Sequence, residues 1–124
     1  ADFSYIAKSA DILQNGGVVG IFPEGRLPRK GEVPPLPFKS GAAFLSLQTQ
    51  TPIIPVYTNG SYFSRKRSIV VIGKPLYPDE IEKRDLSDKE KIECLTAELQ
   101  NKITELKNLY EKNESAECSS LSAV

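Results

Sequence analysis

Glu24, Gly25 and Arg26 follow directly on Phe22-Pro23, and Lys39 stands just before Ser40-Gly41. Those residue types at those positions suit the capture of an oxyanion. Pro23 fixes φ and has no N–H to donate, while Gly25, lacking Cβ, lets the backbone come close to a ligand. A guanidinium can grip a phosphate through a two-pronged fork, and a lysine at the entrance of a helix adds its ammonium to the open amides there. Arg29 and Lys30 could serve in place of Arg26. Glu24 would repel a phosphate, so its natural partners are the ligand's hydroxyls or the loop's own amides and basic groups. What the chain lacks is an imidazole. Its 124 residues include no histidine, and no Lys, Glu or Tyr pairs with an oriented partner at a recognisable spacing. The legible chemistry is therefore binding of an anion, not abstraction of a proton.

These residues need elements to hold them. Val18 to Phe22 is a short apolar run bounded by glycine and proline, the pattern of a parallel strand covered on both faces. Before it, Phe3, Ile6, Ala10 and Leu13 recur at helical spacing, and Asn15-Gly16-Gly17 should end that helix. Residues 23–37 carry five prolines and read as a long loop. Ser40 is placed to cap a helix through Ala42, Ala43, Leu45 and Leu47 to about Thr49. Pro52 and Pro55 bracket a second apolar strand reaching Tyr57, Asn59-Gly60 turns the chain, and Ile69 to Ile72 form a third strand ended by Gly73-Lys74-Pro75. From Ser87 onward, Ile92, Leu95, Leu99, Ile103, Leu106 and Leu109 mark one face of a helix expected to end near Lys112.

Three blocks, Phe22-Pro23-Glu24-Gly25, Phe38-Lys39-Ser40-Gly41-Ala42-Ala43 and Pro52-Ile53-Ile54-Pro55-Val56, resemble the 1-acylglycerol-3-phosphate O-acyltransferase (lysophosphatidic acid acyltransferase) family over about residues 5–78. The resemblance implies an α/β fold: an incomplete mixed, largely parallel sheet flanked by helices, glycerol-3-phosphate acyltransferase-like, followed by a long C-terminal amphipathic helix. Residues 1–79 would be the C-terminal part of the acyltransferase domain, 80–112 the amphipathic helix and 113–124 a disordered tail. In that family an earlier histidine, four residues, aspartate motif performs the chemistry, and this chain has no such motif. By resemblance, Glu24, Gly25, Arg26 and Lys39 bind the acceptor's phosphate and glycerol, and Phe22, Pro23, Pro55 and Val56 are structural members of the motif. One departure concerns the arginine, which here follows Gly25 directly, where the family usually places threonine or a similar residue between. The resemblance further implies lysophosphatidic acid as acceptor and acyl-CoA or acyl carrier protein as co-substrate, with no other cofactor. Alone, such a chain should be inactive as a transferase; the alternative is a non-catalytic lipid-phosphate or membrane-binding remnant.

Composition bounds the rest. Net charge is zero, yet residues 1–78 hold nine Lys/Arg against four Asp/Glu, and residues 79–124 hold seven against twelve. The basic part suits an anionic substrate or an acidic membrane surface, and the acidic part argues against nucleic acid as a partner. Tyr62 and Phe63 beside Arg65, Lys66 and Arg67 form a cluster suited to anionic lipid headgroups. Two cysteines, Cys94 and Cys118, indicate neither a disulfide framework nor a metal site. No apolar run approaches a spanning length. The expected location is cytoplasmic, peripheral at the inner membrane face.

Overall fold

The computed structural model describes residues 4–26, 29–32, 36–59 and 68–122. The chain is mixed α/β: helices α1 (Ser4–Gln14) and α2 (Gly41–Thr49), strands β1 (Val56–Thr58) and β2 (Val70–Ile72), a short helix α3 (Pro78–Glu82) and a long helix α4 (Asp88–Ser122). Helix α1 ends as its sequence demands. Gly16 takes φ +82 and Gly17 N–H donates to Ile12 O at 2.8 Å, closing the last turn through a conformation that only glycine adopts without strain. Its inward side chains, Ile6, Ala10 and Leu13, face α2.

Helix α2 carries Ala43, Leu45 and Ser46 into the interior. Ser46 Oγ–H donates to Thr51 O at 2.5 Å, so the buried hydroxyl is satisfied and ties the helix to the segment that follows it. Ser40 precedes α2 but makes no side-chain cap, contrary to expectation: it sits at φ −82, ψ −3, a helical rather than extended conformation. The first-turn amides of α2 are thus left without a serine cap.

The core lies between α2, α3 and α4, where Ala43, Ile81 and Leu95 are fully enclosed and Leu47, Ile53, Leu76 and Ile92 pack around them. Helix α3 has Pro78 in its first turn with Asp79 and Glu80 behind it, a good N-terminus for so short a helix. Helix α4 keeps the predicted stripe: Leu95 and Leu99 are buried, Ile92, Ile103 and Leu106 half-buried, and Leu109 exposed. Tyr110 reaches Tyr57 with ring centroids 5.9 Å apart, so α4 supports the sheet as far as that turn. The helix then continues to Ser122, ten residues past its expected end. At 1.5 Å per residue its 35 residues extend about 52 Å.

The sheet corrects the largely parallel arrangement expected. Among the described residues it has two strands, β1 and β2, antiparallel with Val56 opposite Ile72 and Thr58 opposite Val70. Ile53 extends the pairing by a bridge to Leu76, donating to Leu76 O at 2.9 Å and accepting from Leu76 N–H at 2.7 Å. Residues 18–22, read as a strand, pair with no strand among the described residues. The backbone groups of Val18, Val19, Gly20 and Ile21 make no hydrogen bond to a described residue. Composition favours a strand there, but a strand exists only through a neighbour, and the described residues provide none.

Candidate functional site

The site is built on the turn after residue 22. Gly25 N–H donates to Phe22 O at 3.0 Å, closing a tight turn, and Gly25 has φ +74, a conformation strained for any residue with a Cβ. That amide is therefore used within the turn and is not offered to a ligand. Lys39 meets the same turn with its main chain and its side chain. Its N–H donates to Pro23 O at 2.8 Å, and its side chain lies over Gly25 so closely that a Cβ there would meet Lys39 Cδ at 2.8 Å and Nζ at 3.4 Å. Glycine suits the φ here, and a Cβ would displace the Lys39 side chain. Among the described residues no carboxylate forms an ion pair with Lys39 Nζ, and Gly41, the first residue of α2, is two positions on. The exposed ammonium thus lies over the turn, in a residue two positions ahead of the first residue of α2.

Glu24 is half-buried and its Oε2 accepts the Leu36 N–H at 3.1 Å. It orders the far end of the loop, one of the two roles its charge allowed. Leu36 is itself buried, so this bond pins the chain just before it reaches Lys39.

Arg26 lies next to Gly25 but its fork is engaged: Nη1 and Nη2 donate to Glu32 Oε2 and Oε1 at 2.8 and 3.0 Å. Glu32 also accepts the Arg29 N–H at 2.8 Å. These bonds, that from Arg26 first, hold the Glu32 carboxyl at about 2, well below its ordinary 4.5, and raise the Arg26 guanidinium in turn. Glu32 was not anticipated as part of the site. An acid six residues beyond Arg26 is a signal only once the loop is known to fold back on itself.

Phe22 is 86% exposed, Pro23 half-buried, Pro55 fully buried and Val56 45% exposed. Pro55 and Val56 lie in the wall of a groove of about 800 Å³ that also runs along residues 17–23. The motif blocks thus border one apolar groove, with Pro23 at the end where Lys39 meets the turn. Tyr62, Phe63, Arg65, Lys66 and Arg67 lie outside the described residues. No group of side chains suited to a metal ion occurs among the described residues, and no helix in them is long and apolar enough to cross a membrane.

Comparison with known sequences bears on this geometry, because residues 3–59 match the Acyltransferase family. The match takes in a little under half of the chain. It contains the turn, Lys39, α2 and the Pro55–Val56 pair, so the site and the family segment coincide. The 1-acyl-sn-glycerol-3-phosphate acyltransferase of Bacillus subtilis (strain 168) is 30% identical over 110 residues, 85% of this chain and 52% of that protein. The 1-acyl-sn-glycerol-3-phosphate acyltransferase of Cocos nucifera is 40% identical over 57 residues, 45% of this chain and 18% of that protein. The chain spans about half the length of the Bacillus relative and less of the other. No solved structure matches it significantly.

Proposed function

We propose that this acyltransferase segment binds the phosphate of 1-acylglycerol-3-phosphate, and that the group which activates the acceptor hydroxyl lies outside these 124 residues. The observation that carries this reading is the placement of Lys39, two residues before α2: its main chain is hydrogen-bonded to Pro23 and its exposed side chain lies over Gly25. Arg26 supplies a second cation that the Glu32 carboxylate orients in the absence of an anion. Glu24 keeps the loop in shape and has one carboxylate oxygen, Oε1, left for a glycerol hydroxyl.

In the complete reaction the acceptor hydroxyl gives up its proton to a base and its oxygen attacks the thioester carbonyl of acyl-CoA or an acyl carrier protein. The C–S bond then breaks and the thiol departs. The sequence holds no histidine to serve as that base, so in this reading the chain by itself binds without turning over. We assign the enzyme to the cytoplasmic face of a membrane as a peripheral protein, on the basic and aromatic run at residues 62–67 and the lipid nature of the acceptor.

The test is titration with lysophosphatidate below its micelle concentration, followed by calorimetry. Lys39→Gln should weaken binding by about tenfold, the effect of one lost charge-assisted contact, with Lys39→Arg retaining most of it. Equal affinities of the wild-type and Gln chains would overturn the reading.

A further inference from the structure

Glu32 occupies a seat of the kind a phosphate takes. Its Oε2 accepts from Arg26 Nη1 and from the Arg29 N–H, each at 2.8 Å, and its Oε1 accepts from Arg26 Nη2 at 3.0 Å. Two N–H groups of a planar fork and one main-chain amide thus converge on a single anionic group. The carboxylate does not need the clamp to reach this place. Residues 29–32 form their own tight turn, closed by the Glu32 N–H donating to Arg29 O at 3.0 Å with Gly31 at φ +90. Nor is the clamp a strong anchor: the Arg26 and Glu32 side chains are 41% and 33% exposed, and an ion pair so open to water contributes little to stability. Complete in geometry and slight in energy, the pair suits a temporary occupant better than a structural tie. Arg26 follows directly on Gly25, which the Lys39 side chain covers, so the seat and the Lys39 ammonium belong to one turn.

We propose that Glu32 is a stand-in for the ligand's phosphate: the phosphate of 1-acylglycerol-3-phosphate displaces the Glu32 carboxylate from the Arg26 fork and takes over the Arg29 N–H. The inference rests on the phosphate reading above and adds to it a donor, the Arg29 amide, and a leaving group, Glu32. A phosphate monoester has three terminal oxygens. Two of them can repeat the contacts that the carboxylate makes now, which leaves the third for Lys39. The exchange keeps the fork aimed while the site is empty, and it spares the guanidinium a search through its rotamers when the ligand arrives. It also bears on release. Acyl transfer leaves the phosphate untouched, so every contact that holds the acceptor by its phosphate holds the product equally well. A carboxylate tethered within reach of the fork retakes it whenever the phosphate loosens, and so shortens the stay of both.

The test is nuclear magnetic resonance of the isotope-labelled chain at neutral pH, with lysophosphatidate below its micelle concentration as the probe. On saturation the Glu32 carboxyl resonance should move to the position of an unbonded glutamate, while the Arg29 amide shifts yet stays protected from solvent exchange. Dissociation of lysophosphatidate, followed by stopped flow, should be about threefold slower in Glu32→Gln, the scale set by an exposed ion pair. In an Arg26→Gln background the same substitution should make no difference. Lys39→Gln should weaken binding but leave the Glu32 displacement in place at saturation, so the phosphate reading and the exchange fail separately. Binding that depends on Lys39 with the Glu32 resonance unmoved would overturn the exchange alone. Weaker binding or faster dissociation in Glu32→Gln would also overturn it, and would make the clamp a support of the turn.

Discussion

Gly25 and Lys39 are fitted to each other: the lysine side chain occupies the space where any other residue at position 25 would carry its Cβ, 2.8 Å from Lys39 Cδ. The fit is reinforced by φ +74 at Gly25 and by the hydrogen bond from Lys39 N–H to Pro23 O. Gly25→Ala therefore has two effects. The left-handed backbone should destabilise the fold by about 1–2 kcal/mol, read as a shift in thermal melting. The new methyl should also push the ammonium off the turn, and lysophosphatidate affinity should fall by about as much as in Lys39→Gln. A variant that melts lower but binds unchanged would separate the two effects and remove Lys39 from the phosphate site.

The Arg26–Glu32 clamp gives the loop a defined pH dependence. Glu32 titrates at about 2 in the folded chain against an ordinary 4.5, lowered first by the Arg26 hydrogen bonds and then by the Arg29 N–H. A depressed carboxyl contributes its ordering above 4.5 and loses it as pH falls from 4.5 towards 2. The Glu32 side-chain carboxyl resonance should follow that lower titration, and Glu32→Gln should abolish the pH response of loop order. Because both partners are exposed, melting of the whole chain should hardly move.

Glu32→Gln also removes a competitor for the Arg26 fork. If Arg26 contacts the bound phosphate, the variant should bind lysophosphatidate a few-fold more tightly, with the gain abolished by Arg26→Gln. An unchanged or weaker affinity in Glu32→Gln would instead assign the clamp to holding the turn in shape.

Local signals told most about the helices. The apolar spacing and paired glycines of α1 and the leucine stripe of α4 are properties of the segments themselves, and both helices are present. Helix α3 was not read from the sequence: Pro78-Asp79-Glu80 is a suitable start, but five residues are too few for periodicity to show. The C-terminal end of α4 was misjudged because polar, aperiodic residues carry no burial signal even where the backbone continues as a helix. Strands were the weak point for a different reason. Val18 to Phe22 has the right composition, yet pairing is a property of two segments, and only one of them is in view. Gly25 and Lys39 stand in two motif blocks of the sequence, and the structure brings them together. The Glu24 bond to Leu36 and the Glu32 clamp depend on how a proline-rich loop doubles back, which no spacing rule encodes.

Catalytic silence is a further expectation. With no histidine in the sequence, the purified chain should give no release of free thiol from acyl-CoA in the presence of lysophosphatidate, at any pH between 6 and 9. Mixing with the remaining part of a relative should restore release only if the added part carries the base. Turnover by the chain alone would place the base within these residues and contradict the assignment of the turn to binding.

The leucine stripe of α4 makes a prediction independent of the site. Leu95 is fully buried against Ala43 and Ile81, whereas Leu109, on the same stripe four turns on, is 53% exposed. Leu95→Ala should cost about 2–5 kcal/mol, the loss of a core side chain plus the cavity left behind. Leu109→Ala should stay within about 0.5 kcal/mol. Chemical denaturation of the two variants distinguishes a helix packed on its own domain from one held elsewhere. Comparable losses at both positions would mean that the Leu109 end of α4 is covered in solution, by a second copy or by another segment, and that the exposed face seen here is an interface.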